Sequence, residues 1–262
     1  MTPNWRFLPL ETCDAVINMA TDEALFQAKV EDPTLPNTLR LYRWQPSAVS
    51  IGKHQELEVE VDVRKAEELG VDVVRRISGG GAVFHDNNGE ITYGIIANKA
   101  DFVQTANEFY TVALAGISHA CSHLGIQAEY GQIHCPGLFV GGKKISGNSQ
   151  AQSKGVILQH GTVLVRYNPE LMYSVLRARP DKPRLKMIQS VYAHVTTLER
   201  ILERQLKFAE VAEALEKGFQ STFGVMEWSS GGLTEQEQML VTKYSERYLS
   251  SEWTINKAAP NW

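Results

Sequence analysis

The chain has 262 residues, 43% hydrophobic and 21% charged, the balance of an ordinary globular protein. Its 26 Lys and Arg against 30 Asp and Glu give a formal charge of −4, which speaks against a general nucleic-acid binder. No apolar run is long enough to cross a bilayer, Met1–Leu10 lacks a signal-peptide core, and Cys13, Cys121 and Cys135 lack disulfide or zinc spacing, so a cytoplasmic protein with no nucleic-acid and no membrane partner is expected.

In chain order, Asp14 to Lys29 reads as a helix with Val16, Met19, Ala20 and Phe26 near one face. Prolines between Glu31 and Pro36 break it, and Leu39–Trp44 and Ser47–Gly52 read as strands. Asp62 caps a short helix closed by Gly70, and Val71–Arg75 is a strand. Ala82–Phe84 and Glu90–Ile96 flank Asn87-Asn88-Gly89, a hairpin signal. Phe102–Leu124 is a long helix closed by Gly125. Leu138–Ile145, with Gly141-Gly142 inside, predicts a second hairpin, and Gly155–Val165 another strand. A proline-rich break at Arg179–Pro183 leads into a mostly helical end, where Thr234 and Glu237 form a capping box that opens the last helix. The pattern is α+β, one domain over residues 1–262.

Three stretches carry chemistry. Arg75-Arg76-Ile77-Ser78-Gly79-Gly80-Gly81-Ala82-Val83-Phe84-His85-Asp86 sets three glycines between strands, where backbone N–H groups can surround an anion and Arg76 can add a forked contact. A plain flexible bend is the bland alternative, but the arginines and His85-Asp86 favour a binding loop. Gly141-Gly142-Lys143-Lys144-Ile145-Ser146-Gly147-Asn148-Ser149-Gln150 holds adjacent lysines, of which alternation lets at most one face a pocket. Gly155 to Leu164 interrupts an apolar strand with Gln159, His160 and Thr162, read as either a satisfied core histidine or a pocket wall. Cys135, nine positions before Lys144, is a candidate nucleophile, with an incidental thiol at least as good a reading. His119 and His123 have helical metal-ligand spacing without a third partner, so no metal site is expected. Cys121 reads as core.

Taken in order, these stretches resemble the catalytic domain of lipoate–protein ligase A, in the biotin/lipoate protein ligase superfamily that includes related octanoyltransferases. Asn18–Ala24 and Tyr248–Thr254 resemble the family's first helix and closing segment, so the likeness runs from about residue 5 to 255. It implies a mixed or antiparallel sheet flanked by helices, similar to class II aminoacyl-tRNA synthetases and biotin ligases. It implies a lipoate–protein ligase that uses ATP and Mg²⁺ to convert lipoate or octanoate into an acyl-adenylate. The acyl group then passes to a lysine of a lipoyl domain, as in the 2-oxoacid dehydrogenase acyltransferase subunit or the glycine cleavage H protein. The resemblance assigns Lys144 to the acyl carbonyl. It assigns Arg76, Ser78, Gly79, Gly80, Gly81, His85, Gly147, Asn148, His160 and Thr162 to substrate and nucleotide binding.

Two departures bear on the reaction. Pro136-Gly137 stands where ligases of the family carry Asn-Asp. No C-terminal accessory domain follows the closing segment, so a ligase of this kind would need a separate accessory protein. The resemblance therefore ranks ligation first and places octanoyl transfer from octanoyl-carrier protein through Cys135 second. A non-catalytic acyl- or biotin-binding module is the reading from another class.

Overall fold

Strands and helices form where the local signals put them, and the tertiary arrangement decides their faces. The strands are β1 (Trp5–Cys13), β2 (Asn37–Trp44), β3 (Ala48–Ile51), β4 (Asp72–Arg75), β5 (Val83–His85), β6 (Glu90–Asn98), β7 (Glu129–Ile133), β8 (Cys135–Val140), β9 (Lys143–Ser153) and β10 (Val156–Leu164). The helices are α1 (Ala15–Glu31), α2 (Leu57–Glu60), α3 (Val63–Glu68), α4 (Ala106–His123), α5 (Pro169–Val175), α6 (Arg184–His194), α7 (Leu198–Leu202), α8 (Phe208–Phe223), α9 (Glu235–Leu249) and α10 (Ser251–Thr254). This computed structural model describes residues 4–103, 105–133, 135–178, 183–229 and 231–257, without the side chains of residues 132, 133 and 135. His134 and most of the Arg179–Pro183 break lie outside the described residues.

A seven-stranded sheet runs in the order β1-β2-β6-β10-β9-β8-β7. Only its β1–β2 pair is parallel. A three-stranded sheet has the order β4-β3-β5, with β3 parallel to β4 and antiparallel to β5. The chain is thus α+β, with mixed sheets flanked by helices. Alternation assigns the faces of the large sheet. Leu39 and Leu41 of β2, with Tyr93 and Ile95 of β6, join Phe109 and Ile117 of α4 and Phe219 of α8. Tyr42 and Trp44 of β2 and Leu158 of β10 join Met19 and Phe26 of α1 and Trp253 of α10.

Two caps fall as expected: Asp62 accepts from the Lys65 N–H, and Thr234 and Glu237 close a capping box. Asp14, read as the first helical residue, is instead the cap of α1 and accepts from the Ile17 N–H. Gly141 and Gly142 both take positive φ at the β8–β9 turn, which suits a tight hairpin.

Four expectations need correction. The Asn87-Asn88-Gly89 turn does not pair its flanking strands, because β5 lies in the small sheet and β6 in the large one. The turn is instead pinned between sheets: Asp86 accepts from the Asn88 N–H, and the Gly89 carbonyl accepts from Val165 and Arg166. A Cβ at Gly89 would lie 2.6 Å from the Asp86 Cβ, so this glycine answers crowding. The long helix starts at Ala106 rather than Phe102, because Thr105 and Glu108 form a capping box there. The capping box at Thr234 opens α9, and the short α10 follows it. Nor is α1 amphipathic: Asn18, Thr21, Asp22, Glu23 and Gln27 are buried with its apolar residues. It packs between the large sheet and α9, where Glu23 meets Arg247 and the Tyr248 hydroxyl.

Candidate active site

Strand alternation sends the two arginines of the glycine stretch to different tasks. Arg75 is fully buried and donates to the carbonyls of Gly52, Lys53, Gln55, Trp253 and Thr254. Trp253 returns an indole N–H to the Arg75 carbonyl at 2.7 Å. Arg75 therefore fastens the closing segment to β4.

Arg76 faces the other way, into a cavity of about 480 Å³ bounded by α1, β2, the glycine loop, β9 and β10. Its guanidinium is fully engaged, with donations to the Ser50 carbonyl and hydroxyl, the Ser78 hydroxyl, and the Gly79 and Gly81 carbonyls. The forked contact expected for an anionic ligand is thus directed at the loop itself. Burial, with only a small opposing effect of Tyr42, lowers this guanidinium to about 10. Among the described residues it forms no ion pair, so its positive charge is left for the cavity.

Each serine on Arg76 leads to a histidine and an acid. Ser50 Oγ lies 2.8 Å from His85 Nε2, and His85 Nδ1 lies 2.7 Å from Glu90. Ser78 Oγ lies 2.6 Å from His160 Nε2, and His160 Nδ1 lies 2.8 Å from Asp22. A carboxylate beside Nδ1 places the proton on that nitrogen, so each Nε2 accepts from its serine, whose oxygen in turn accepts from Arg76. His85 also stacks on Trp44 at 3.9 Å. Burial raises the Asp22 carboxyl, but Arg40, His160 and Tyr42 outweigh it and hold it below its ordinary value. His160 therefore satisfies both readings offered by the sequence, a bonded core histidine that also lines the cavity.

The cavity brings together most of the residues singled out by sequence: Arg76, Gly80, Gly81, His85, Lys144, Gly147, Asn148, His160 and Thr162. Two are absent from its wall. Ser78 is tied to Arg76 and His160 behind it, and Gly79 offers its carbonyl to Arg76 and Ser149. Lys144 rather than Lys143 faces inward, while Lys143 Nζ reaches the Tyr192 carbonyl. Gly137 makes the space for Lys144: a Cβ there would lie 2.8 Å from Lys144 Cε. The Pro136-Gly137 pair, read from sequence as a loss, is thus a fitted neighbour of Lys144. The backbone of Cys135 opens β8, two positions from Gly137; its side chain lies outside the described residues.

Asp22, Glu90, Ser50, Tyr42 and Trp44 escaped sequence reasoning. Buried acids inside a helix or strand were the available signal, since such groups are kept only when paired. His119 bonds Thr222, and no group of three His, Cys, Asp or Glu suited to a metal occurs among the described residues. Cys121 is buried in the core, which pushes its thiol up to about 12.

Such a cavity, with Met19, Tyr42 and Trp44 on one part of its wall and Arg76, His85, Lys144 and His160 on another, has the mixed apolar and polar lining of a small-molecule binding site. The chain belongs to the lipoyl protein ligase A/B catalytic domain family, whose model matches residues 14–220. It is 31% identical to octanoyltransferase LipM of Brevibacillus brevis, over 97% of this chain and 99% of that one. It is 32% identical to octanoyltransferase LipM of Oceanobacillus iheyensis, over 94% and 96%. Among solved structures it is similar to the bi-partite lipoate protein ligase of Thermoplasma acidophilum, with a TM-score of 0.85 and 25% identity over 100% of this chain and 99% of that one. A lipoate-protein ligase A bound with ATP gives a TM-score of 0.82 at 23% identity, over 98% and 100%, a likeness of fold. The chain is therefore an enzyme of the lipoyl-attachment family. These octanoyltransferase relatives favour the second of the two reactions drawn from sequence over the first.

Proposed function

We propose that the chain transfers an octanoyl group from a carrier-protein thioester to a lysine of a lipoyl domain, through Cys135. The observation that carries this reading is the junction where Lys144 of β9 lies against Gly137 of β8, the strand that Cys135 begins. In the first half-reaction the Cys135 thiolate attacks the thioester carbonyl, the carbon–sulfur bond to the carrier breaks, and the carrier thiol leaves with a proton. In the second, the acceptor amine attacks the new thioester, loses a proton and forms an amide, which frees Cys135. Lys144 Nζ donates to the oxyanion of both tetrahedral intermediates, and the charge of Arg76 behind the glycine loop favours the same negative charge.

Likeness to the Thermoplasma ligase favours a second reading, adenylation of lipoate with ATP. No group of three His, Cys, Asp or Glu that could hold a metal occurs among the described residues, and no step here runs through Mg²⁺. Intact-mass spectrometry separates the readings. Transfer predicts a hydroxylamine-sensitive octanoyl adduct without ATP, abolished by Cys135→Ser. Ligation predicts pyrophosphate release and no adduct. Binding of lipoate with neither product would return the chain to a non-catalytic module.

A further inference from the structure

A second chamber of about 270 Å³ adjoins the first cavity, with Ala82, Val83, Lys144, Gly147 and Thr162 in the walls of both. Its walls are apolar, from Leu164 of β10, Met172 of α5, Leu176, Val191 of α6 and Val195. It is pinned to the site, because the Thr196 N–H donates to the Lys144 carbonyl at 3.0 Å. Most polar side chains at its wall are already engaged: Asn168 caps α5, Arg166 pairs with Glu199, and Glu90 holds His85. Ser146 lines the chamber and is fully buried, and among the described residues its Oγ has no hydrogen-bond partner, a state that leaves a desolvated hydroxyl waiting for one.

We infer that this chamber binds the thiol arm of the acyl donor, an amide-bearing chain ending in the thioester sulfur. The inference rests on the transfer reading above. A thioester is linear in the order acyl chain, carbonyl, sulfur, arm. With the acyl chain in the first cavity and the carbonyl at Lys144, the arm must continue past Lys144, into the adjoining chamber. There it meets apolar walls for its methylene stretches and the Ser146 hydroxyl for an amide. The chamber thereby gives the enzyme a means of preferring a carrier-borne thioester over a shorter one.

The experiment compares octanoyl-carrier protein with S-octanoyl-2-mercaptoethanol, which lacks the arm, in forming the octanoyl adduct. Val191→Trp fills the chamber from α6, and Ser146→Ala removes the Ser146 hydroxyl without breaking a bond seen among the described residues. Expected results are a loss on the order of tenfold or more in adduct formation from the carrier protein for Val191→Trp, and about fivefold for Ser146→Ala. The short thioester should react equally with all three proteins, and discharge of the adduct to a lipoyl domain should be unchanged. Equal losses with both donors, or none with either, overturn the inference. Slowed discharge with normal adduct formation overturns it too, since the acceptor lysine then occupies the chamber. If the unaltered chain forms no adduct from either donor, the transfer reading itself fails and takes the chamber's role with it. Circular dichroism confirms that each variant is folded, and Ser146→Ala carries the test if Val191→Trp is not.

Discussion

Gly137→Ala adds one methyl group at the point where β8 crosses Lys144. The new Cβ would lie 2.8 Å from Lys144 Cε, 3.0 Å from the Ser146 carbonyl oxygen and 3.4 Å from Lys144 Nζ. Gly137 is not in the left-handed region of φ, so the backbone tolerates alanine and the effect is steric. Overpacking of this kind costs about 1–3 kcal/mol, offset by about 0.4–1 kcal/mol from the stiffer unfolded chain. The net loss of stability is therefore small. Activity is the sensitive quantity, because Lys144 is the flexible partner and must move, and a displacement of about 1 Å can cost about 10²-fold in rate. Octanoyl transfer to a lipoyl domain should fall by about that factor while the melting temperature shifts only slightly. Gly131→Ala is the control. Its Cβ would lie 2.8 Å from the Phe139 ring, an equal crowding that does not involve Lys144, so it should lower the melting temperature and leave transfer intact. Wild-type transfer by folded Gly137→Ala, or equal losses in both variants, would refute the reasoning.

Removing the Lys144 donor with Lys144→Ala should slow transfer by about 10²–10³-fold, whereas Lys143→Ala, whose amine reaches the Tyr192 carbonyl, should change it little; steady-state transfer assays decide. Asp22 is held below its ordinary value in the folded chain, so the stability it adds is present above the unfolded carboxyl's titration and is lost as pH falls through the lower folded one. Asp22→Asn should therefore destabilise the chain at neutral pH, by about 3–5 kcal/mol for a broken buried pair, and flatten the fall in melting temperature on acidification; an unchanged pH slope would count against it. Trp253→Ala removes a fully buried ring and its bond to the Arg75 carbonyl. It should cost about 3–5 kcal/mol in denaturant unfolding, and a loss near zero would show that the closing segment is not held as described.

Signals that act within a few residues were legible in the sequence. Asp62 and Thr234 cap helices because the side chain and the N–H it serves lie three residues apart. The Gly141-Gly142 turn is likewise local, and so is the rule that at most one of Lys143 and Lys144 faces the cavity, since alternation along β9 turns the other away; spacing did not say which. The glycine loop and His160 could be picked out because glycine runs and polar interruptions of apolar strands have few structural uses, whereas only the family resemblance singled out Lys144 from Lys143.

Only the tertiary structure decided what those residues touch. Asn87-Asn88-Gly89 carries the same short-range signal whether its strands pair or part, and the packing of two sheets parts them. Arg75 and Arg76 are chemically identical neighbours, yet one meets the closing segment and the other the glycine loop, some of their partners being up to 179 positions distant. Asp22 and His160 are separated by 138 positions, and Gly137 looks like a missing Asn-Asp until Lys144 is seen beside it. Pairings of this kind depend on which surfaces the sheets and helices bring into contact, and that is set by burial of the whole chain rather than by any local run of residues.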